Sequence, residues 1–124
     1  MWKLLPFLRE KKKKGEPMLR DLKNHYVQWH IRQTRIPAFV PSEEIRMHVR
    51  FQGRVQKVGF RDEMAGLCRR LEITGFAINL PDGSVMAELS GERDRIFFLL
   101  EAMCRLRRAR VDDIVRKLRV AETE

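Results

Sequence analysis

The feature that most constrains this chain is a glycine-rich run between two segments of different periodicity. Apolar and polar residues alternate over residues 45–51, which predicts a half-buried strand. Apolar residues recur every three or four positions over residues 60–71, which predicts a helix. A strand that passes into a helix within a few residues needs a tight junction, and Gly53 and Gly59 permit one. The chain is therefore predicted to contain a sheet that is covered by a helix.

The remaining segments complete the order of elements. Residues 73–80 and 84–90 are predicted strands, joined at residues 81–83 by a Pro-Asp-Gly turn. Residues 91–107 have the period of a second helix, and residues 111–120 form a last predicted strand. The order βαββαβ predicts an α+β fold, the ferredoxin-like split βαβ sandwich, with two helices on one face of a four-stranded antiparallel sheet.

The first third of the chain has a different character. Four consecutive lysines at positions 11–14 predict a solvated, disordered segment. Residues 18–33 have helical spacing, and Pro37 and Pro41 predict an extended linker after them. We therefore divide the chain into a basic N-terminal extension, residues 1–44, and a globular domain, residues 45–124. The apolar stripe of the extension helix consists of Leu19, Leu22, Tyr26 and Trp29.

Charge and cysteine content narrow the class of protein. The net charge of +9 favours an anionic ligand but indicates no specific nucleic acid. Cys68 and Cys104 lie in predicted helices, where they are expected to be small helix residues rather than a disulfide or nucleophiles, which favours a cytoplasmic protein. No apolar run reaches the roughly 18–20 residues of a transmembrane helix. The three histidines lack metal-ligand spacing. We expect a monomer.

The glycine-rich run also predicts a site. Backbone N–H groups that converge in such a loop and at a helix N-terminus can bind an anion. Arg61, in the first turn of the helix, can add a bidentate clamp, and Asn79 ends the next strand. The predicted phosphate-binding loop consists of Gly53, Arg54, Val55, Gln56, Lys57, Val58 and Gly59.

The two motifs together resemble the acylphosphatase family, over residues from about 45 to 120. The first motif runs from Gly53 to Arg61, and the second contains Gly75, Asn79 and Gly83. The resemblance implies hydrolysis of an acyl phosphate to a carboxylate and inorganic phosphate. It implies that Arg61 binds the phosphoryl group, that Asn79 positions the attacking water, and that no metal or organic cofactor takes part.

The chain departs from the family pattern at three positions. Lys57 and Glu72 stand where the family usually has glycine, and Ile78 replaces a residue that is often basic or long and polar. A left-handed conformation costs a non-glycine residue about 1–2 kcal/mol. We expect Ile78 and Glu72 to affect stability and Lys57 to reduce catalytic efficiency.

Other functions stay open at this point. One is a noncatalytic anion- or partner-binding module on the same fold. Another is an RNA-binding sheet, although the strand over residues 84–90 has no aromatic residue on which a base could stack. By the same resemblance, a domain that processes carbamoyl phosphate within a larger maturation enzyme is a further alternative.

Overall fold

The computed structural model describes residues 18–120, with side chains placed for residues 24–118. Four strands form one antiparallel sheet in the spatial order β2-β3-β1-β4. The strands are β1 (Glu44–Arg54), β2 (Thr74–Asn79), β3 (Val85–Glu92) and β4 (Arg110–Val120). The helices are α1 (Met18–Gln33), α2 (Phe60–Leu71) and α3 (Arg93–Cys104). Within the described residues, no helix combines the length and the apolar content needed to cross a membrane.

The predicted α+β fold is confirmed, because β1, α2, β2, β3, α3 and β4 follow the order βαββαβ. Alternate residues of β1 and β3 are buried, as expected when helices cover one side of a sheet. Phe51 of β1 pairs with Val85 of β3, and both side chains belong to the core. The T-shaped contact of Phe51 with Phe60, at 5.0 Å between ring centroids, fixes the start of α2 over the sheet.

Helix α1 packs on the outer surface of α2, but through a different face from the predicted stripe. Val27 and Ile31 are buried, whereas Tyr26 and Trp29 are 46% and 50% exposed. The reason lies in α2, where Gly66 has no side chain: a Cβ there would lie 2.4 Å from Cδ1 of Ile31. The side chains of Leu19 and Leu22, the other members of the stripe, lie outside the described residues, as does the lysine run at positions 11–14.

The segment between α1 and β1, residues 34–43, runs along α3 and closes its N-terminus. The backbone N–H of Asp94 donates to Oγ of Ser42 at 3.2 Å, and the N–H of Arg93 donates to the carbonyl of Glu43 at 2.9 Å. These bonds satisfy two of the amides that a helix N-terminus leaves without a partner in the helix. Phe39 adds a T-shaped contact with Phe98 of α3, at 5.7 Å between centroids.

Candidate active site

The glycine-rich loop begins with an irregularity in β1. The pairing of β1 with β4 shifts register between Gln52 and Gly53, and Gly53 has a φ of 126°. A Cβ at Gly53 would lie 2.2 Å from the carbonyl oxygen of Arg110, so only glycine allows the two strands to approach here. Two more pairs follow the bulge, Gly53 with Val111 and Arg54 with Arg110, and the chain then enters the loop that precedes α2.

Two left-handed residues then turn the chain into α2. Lys57 has a φ of 64° and Gly59 a φ of 75°. Val55, between the bulge and this turn, is buried and anchors the loop in the core. Gly59 is the N-cap of α2, and no side chain forms a capping hydrogen bond there. The backbone N–H groups in the first turn of α2 therefore have no capping side chain. Helix N-termini that bind anions have the same arrangement.

Arg61 is the second residue of α2 and is half-buried beside this loop. Within the described residues its side chain forms no hydrogen bond or ion pair. A guanidinium in the first turn of a helix lies close to the positive end of the dipole, an unfavourable position for a cation by itself. An anion bound at the helix N-terminus would reverse that penalty.

Asn79 is the last residue of β2 and is exposed. It pairs with Val85, which pairs in turn with Phe51 on the covered face of the sheet. Paired residues of neighbouring antiparallel strands project from the same face. The Asn79 side chain therefore leaves the sheet on the side of α2, which is the side of the glycine-rich loop.

Gln56 connects the loop to the turn that follows Asn79. Its Nε2 donates hydrogen bonds to the carbonyls of Leu80 at 2.8 Å and of Ser84 at 2.9 Å. The N–H of Leu80 donates to the same carbonyl of Ser84 at 2.8 Å. The turn over residues 80–84 is therefore closed both by its own backbone hydrogen bond and by the Gln56 side chain of the loop. The sequence marked Gln56 as part of the anion loop; its role as the link between the two motifs emerges only in the structure.

The same turn is also held from the open face of the sheet, by a contact between Asp82 and Arg50 that the sequence analysis did not predict. Asp82 accepts hydrogen bonds from the hydroxyl of Ser84 at 2.6 Å and from its N–H at 3.0 Å, and it forms an ion pair with Arg50 of β1. The bonds from Ser84, followed by the charge of Arg50, lower the pKa of Asp82 below its usual value. An arginine that alternates with the apolar residues of a strand carries no sequence signal for this contact.

The cysteines do not reach the site as nucleophiles. Burial raises the pKa of Cys68 to about 12, and desolvation also raises the pKa of Cys104, although Cys104 is an exposed residue. A thiol is nucleophilic as the thiolate, so both shifts oppose catalysis near neutral pH. Over residues 18–120 no cluster of three or more His, Cys, Asp or Glu side chains has an arrangement suited to a metal ion.

The sequence matches the family model "Acylphosphatase" over residues 47–123. The chain belongs to the acylphosphatase family. An acylphosphatase of Thermococcus kodakarensis is 43% identical to it over 58 residues, which are 47% of this chain and 64% of the relative. An acylphosphatase of Methanocella arvoryzae is 42% identical over 76 residues, which are 61% of this chain and 83% of the relative.

A solved structure supports the same family. The acylphosphatase of Coxiella burnetii superposes with a TM-score of 0.59 and 33% sequence identity, over 65% of this chain and 86% of the other. The chain spans less than two thirds of the length of several curated relatives, 64% for Thermococcus kodakarensis and 63% for Salinibacter ruber. Helix α1 lies outside the residues that the acylphosphatase family model matches.

The two non-glycine residues at family glycine positions adopt the conformation that glycine favours. Lys57 is left-handed in the loop, and Glu72 is left-handed at the C-cap of α2, with φ 57° and ψ 39°. Ile73 N–H donates to the carbonyl of Cys68 at 2.9 Å, which closes the end of α2 in the usual way for a left-handed cap. The expectation that Glu72 occupies a left-handed helix end is confirmed.

Proposed function

We propose that this protein hydrolyses acyl phosphates to a carboxylate and inorganic phosphate. The observation that carries the proposal is the pair of hydrogen bonds from Gln56 to the carbonyls of Leu80 and Ser84. They join a loop that leads into an uncapped helix N-terminus to the turn that follows Asn79. Together with the match to the acylphosphatase family, this link between the loop and the turn supports a single site for phosphate binding and water positioning.

In the proposed reaction, backbone amides of residues 53–60 and the Arg61 guanidinium bind the phosphoryl oxygens. Asn79 holds a water molecule for attack on phosphorus. The new bond joins the water oxygen to phosphorus, the bond between phosphorus and the acyl oxygen breaks, and the electron pair leaves on the carboxylate. The proton of the water passes to the phosphate product or to solvent. Because a carboxylate is a good leaving group, charge neutralisation and positioning supply most of the catalysis.

The finer parts of the proposal concern setting and partners. The mechanism uses protein donors throughout and assigns no step to a metal or an organic cofactor. We place the protein in the cytoplasm, a proposal supported by the two free cysteines. We also propose that it acts as a monomer on a small-molecule substrate and binds no specific nucleic acid. The net charge of +9 favours the encounter with an anionic substrate.

The test is steady-state hydrolysis of a small aromatic acyl phosphate by the wild type, Arg61→Ala and Asn79→Ala. We expect each variant to lose about 100-fold or more in kcat/KM while it stays folded, since each removes a group that acts on the reacting atoms. Arg69→Ala is the matched control, because Arg69 is an exposed arginine two turns further along the same helix. Near-wild-type activity in folded Arg61→Ala or Asn79→Ala would show that the assigned role is wrong.

Two further measurements separate catalysis from binding. Inorganic phosphate should inhibit competitively, and a chelator should leave the rate unchanged. A wild-type protein that binds phosphate and turns over no acyl phosphate would instead be a noncatalytic anion-binding module. A chelator-induced loss that a divalent metal restores would contradict the proposed mechanism.

A further inference from the structure

A fully buried carboxylate lies directly behind the candidate site. Glu63, in the first turn of α2, has no exposed side-chain surface. Its Oε1 accepts from Nη2 of Arg108 at 2.5 Å, and its Oε2 lies 2.7 Å from Nδ1 of His30. Burial of a carboxylate is costly unless both oxygens find partners. The two partners come from opposite parts of the chain, the helix α1 and the segment before β4.

Arg108 contacts the glycine-rich loop as well as Glu63. Its Nε donates to the carbonyl of Val58 at 2.6 Å, and its Nη2 makes a longer bond, 3.4 Å, to the carbonyl of Gly59. One planar guanidinium therefore binds two successive loop carbonyls and a carboxylate. Lysine cannot reproduce this fork, since its donors share a single nitrogen atom.

The orientation of the Val58 carbonyl determines the orientation of the next amide. The carbonyl of Val58 and the N–H of Gly59 belong to one planar trans peptide, so they point in opposite directions. A guanidinium that holds the carbonyl on the side of α1 holds the Gly59 N–H on the other side of the loop. The Gly59 carbonyl is already held by the first hydrogen bond of α2, from the N–H of Glu63 at 3.0 Å, and Arg108 adds only the longer bond there. The Gly59 amide lies at the start of the helix terminus to which we assign phosphate binding.

Helix α1 covers this network from outside. The Tyr26 ring lies against the Arg108 guanidinium, with 5.4 Å from Cζ to the ring centroid. Val27 packs against Gly59, where a Cβ would lie 2.7 Å from Cγ2 of Val27. Together with His30, which contacts Glu63, these residues span little more than one turn of α1. All three belong to a helix outside the family match.

We infer that Arg108 is a positioning residue for the anion-binding loop, and that α1 keeps it in place through Glu63 and His30. Arg108 acts through the peptide that joins Val58 to Gly59 and does not itself contact the substrate. The inference rests on the proposed function, because it assigns a purpose to the orientation of the loop amides. It also gives the N-terminal helix a part in catalysis.

The test compares Arg108→Lys with Arg107→Lys, an exposed arginine at the adjacent position. We expect Arg108→Lys to lower kcat about 10- to 100-fold, since misplacing reacting groups by about 1 Å has effects of that order. Competitive inhibition by inorganic phosphate should weaken in parallel, and the amide resonance of Gly59 should shift. All rates are measured well below the melting temperature. Arg107→Lys should match the wild type in each measurement.

The conservative substitution separates positioning from charge compensation. If Arg108 only neutralised Glu63, lysine would restore both turnover and phosphate inhibition, and that result would overturn the inference. A lower melting temperature with unchanged kcat and unchanged phosphate inhibition would overturn it as well. If Arg108→Lys does not fold, the test compares kcat of His30→Ala with kcat of a control, His25→Ala. His25 is an exposed histidine of the same helix. There the expected loss in kcat is about threefold or more, and equal rates would contradict the role of α1.

A failure of the proposed function gives a different pattern. A wild type without acyl phosphate hydrolysis would refute that function. Inorganic phosphate binding and the Gly59 resonance would still be compared between the wild type and Arg108→Lys. Weaker phosphate binding in the variant would support positioning of the loop, and identical binding would refute it.

Discussion

Helix α1 and strand β4 differ in a way that the family match does not predict: whether an element lies inside the match does not determine whether its apolar side chains are buried. Helix α1 lies outside the matched residues 47–123, yet Val27 and Ile31 are buried against α2. Strand β4 lies wholly inside the match, yet Leu118, on the face of the sheet that the helices cover, is 56% exposed. What determines burial is whether a second layer covers an element.

The reason for the difference is the position of each element in the layers. Strand β4 is at the edge of the sheet and, within residues 18–120, pairs with β1 alone. Ile114, which pairs with Phe51, packs against the core, whereas Leu118, which pairs with the core residue Met47, does not. The cover over the sheet therefore ends before the C-terminal part of β4. Helix α1 instead lies in a groove that Gly66 opens on α2. A helix that packs into such a groove buries more of its apolar side chains than the end of an edge strand does.

The largest expected effect is a buried charge on α1. Val27→Asp should lower the free energy of unfolding by about 3 kcal/mol or more, because the carboxylate would be buried without a partner. Leu118→Asp, the matched substitution on β4, should cost less than about 1 kcal/mol at an exposed position. Urea denaturation measures both. Equal losses, or a larger loss for Leu118→Asp, would reverse the comparison.

A smaller substitution tests the groove itself. Gly66→Ala should lower stability by about 1–2 kcal/mol, because the new methyl group meets the Ile31 side chain. In an Ile31→Ala background the same change should raise stability by about 0.5–1 kcal/mol, the usual benefit of alanine over glycine in a helix. Denaturation of the four proteins gives the coupling between the two sites. Additive effects would mean that α1 does not occupy the groove.

The two left-handed residues before and after α2, Lys57 and Glu72, allow backbone strain to be tested separately from catalysis. Lys57→Gly and Glu72→Gly should each raise stability by about 1 kcal/mol, because glycine adopts a positive φ without steric cost. Only Lys57→Gly should also raise turnover, severalfold, since only Lys57 lies in the loop to which we assign phosphate binding. Denaturation and kcat on a small aromatic acyl phosphate check both variants. An unchanged or lower turnover for Lys57→Gly would mean that the loop accommodates or uses the lysine.

The smallest perturbation is chemical labelling of the two thiols. With a pKa of about 12, Cys68 has a thiolate fraction of about 10⁻⁴ at pH 8, and its burial blocks access as well. Cys104 is exposed and should react much faster with an uncharged thiol reagent. Mass spectrometry after timed quenching reads both sites. Comparable rates in the folded protein would show that α2 is not covered as described.

Much of the fold follows from local pattern. The alternation in β1 and the helical period of α2 depend on burial of one face, which each segment displays in its own residues. The turn at residues 81–83 follows from the backbone preferences of Pro, Asp and Gly. The stripe on α1 was predicted less well, because Tyr26 and Trp29 form an apolar pattern that the structure leaves exposed.

The candidate site divides in the same way. The sequence by itself determined that a tight loop leads into a helix carrying Arg61, and that Asn79 ends a strand, because glycine placement and periodicity are local properties. Tertiary structure alone decided that Gln56 joins these motifs, that Ile31 lies against Gly66, and that Arg108 and His30 meet at Glu63. These contacts join residues between 24 and 45 positions apart, and no periodicity spans such distances. Their existence depends on which faces the packed layers bring together.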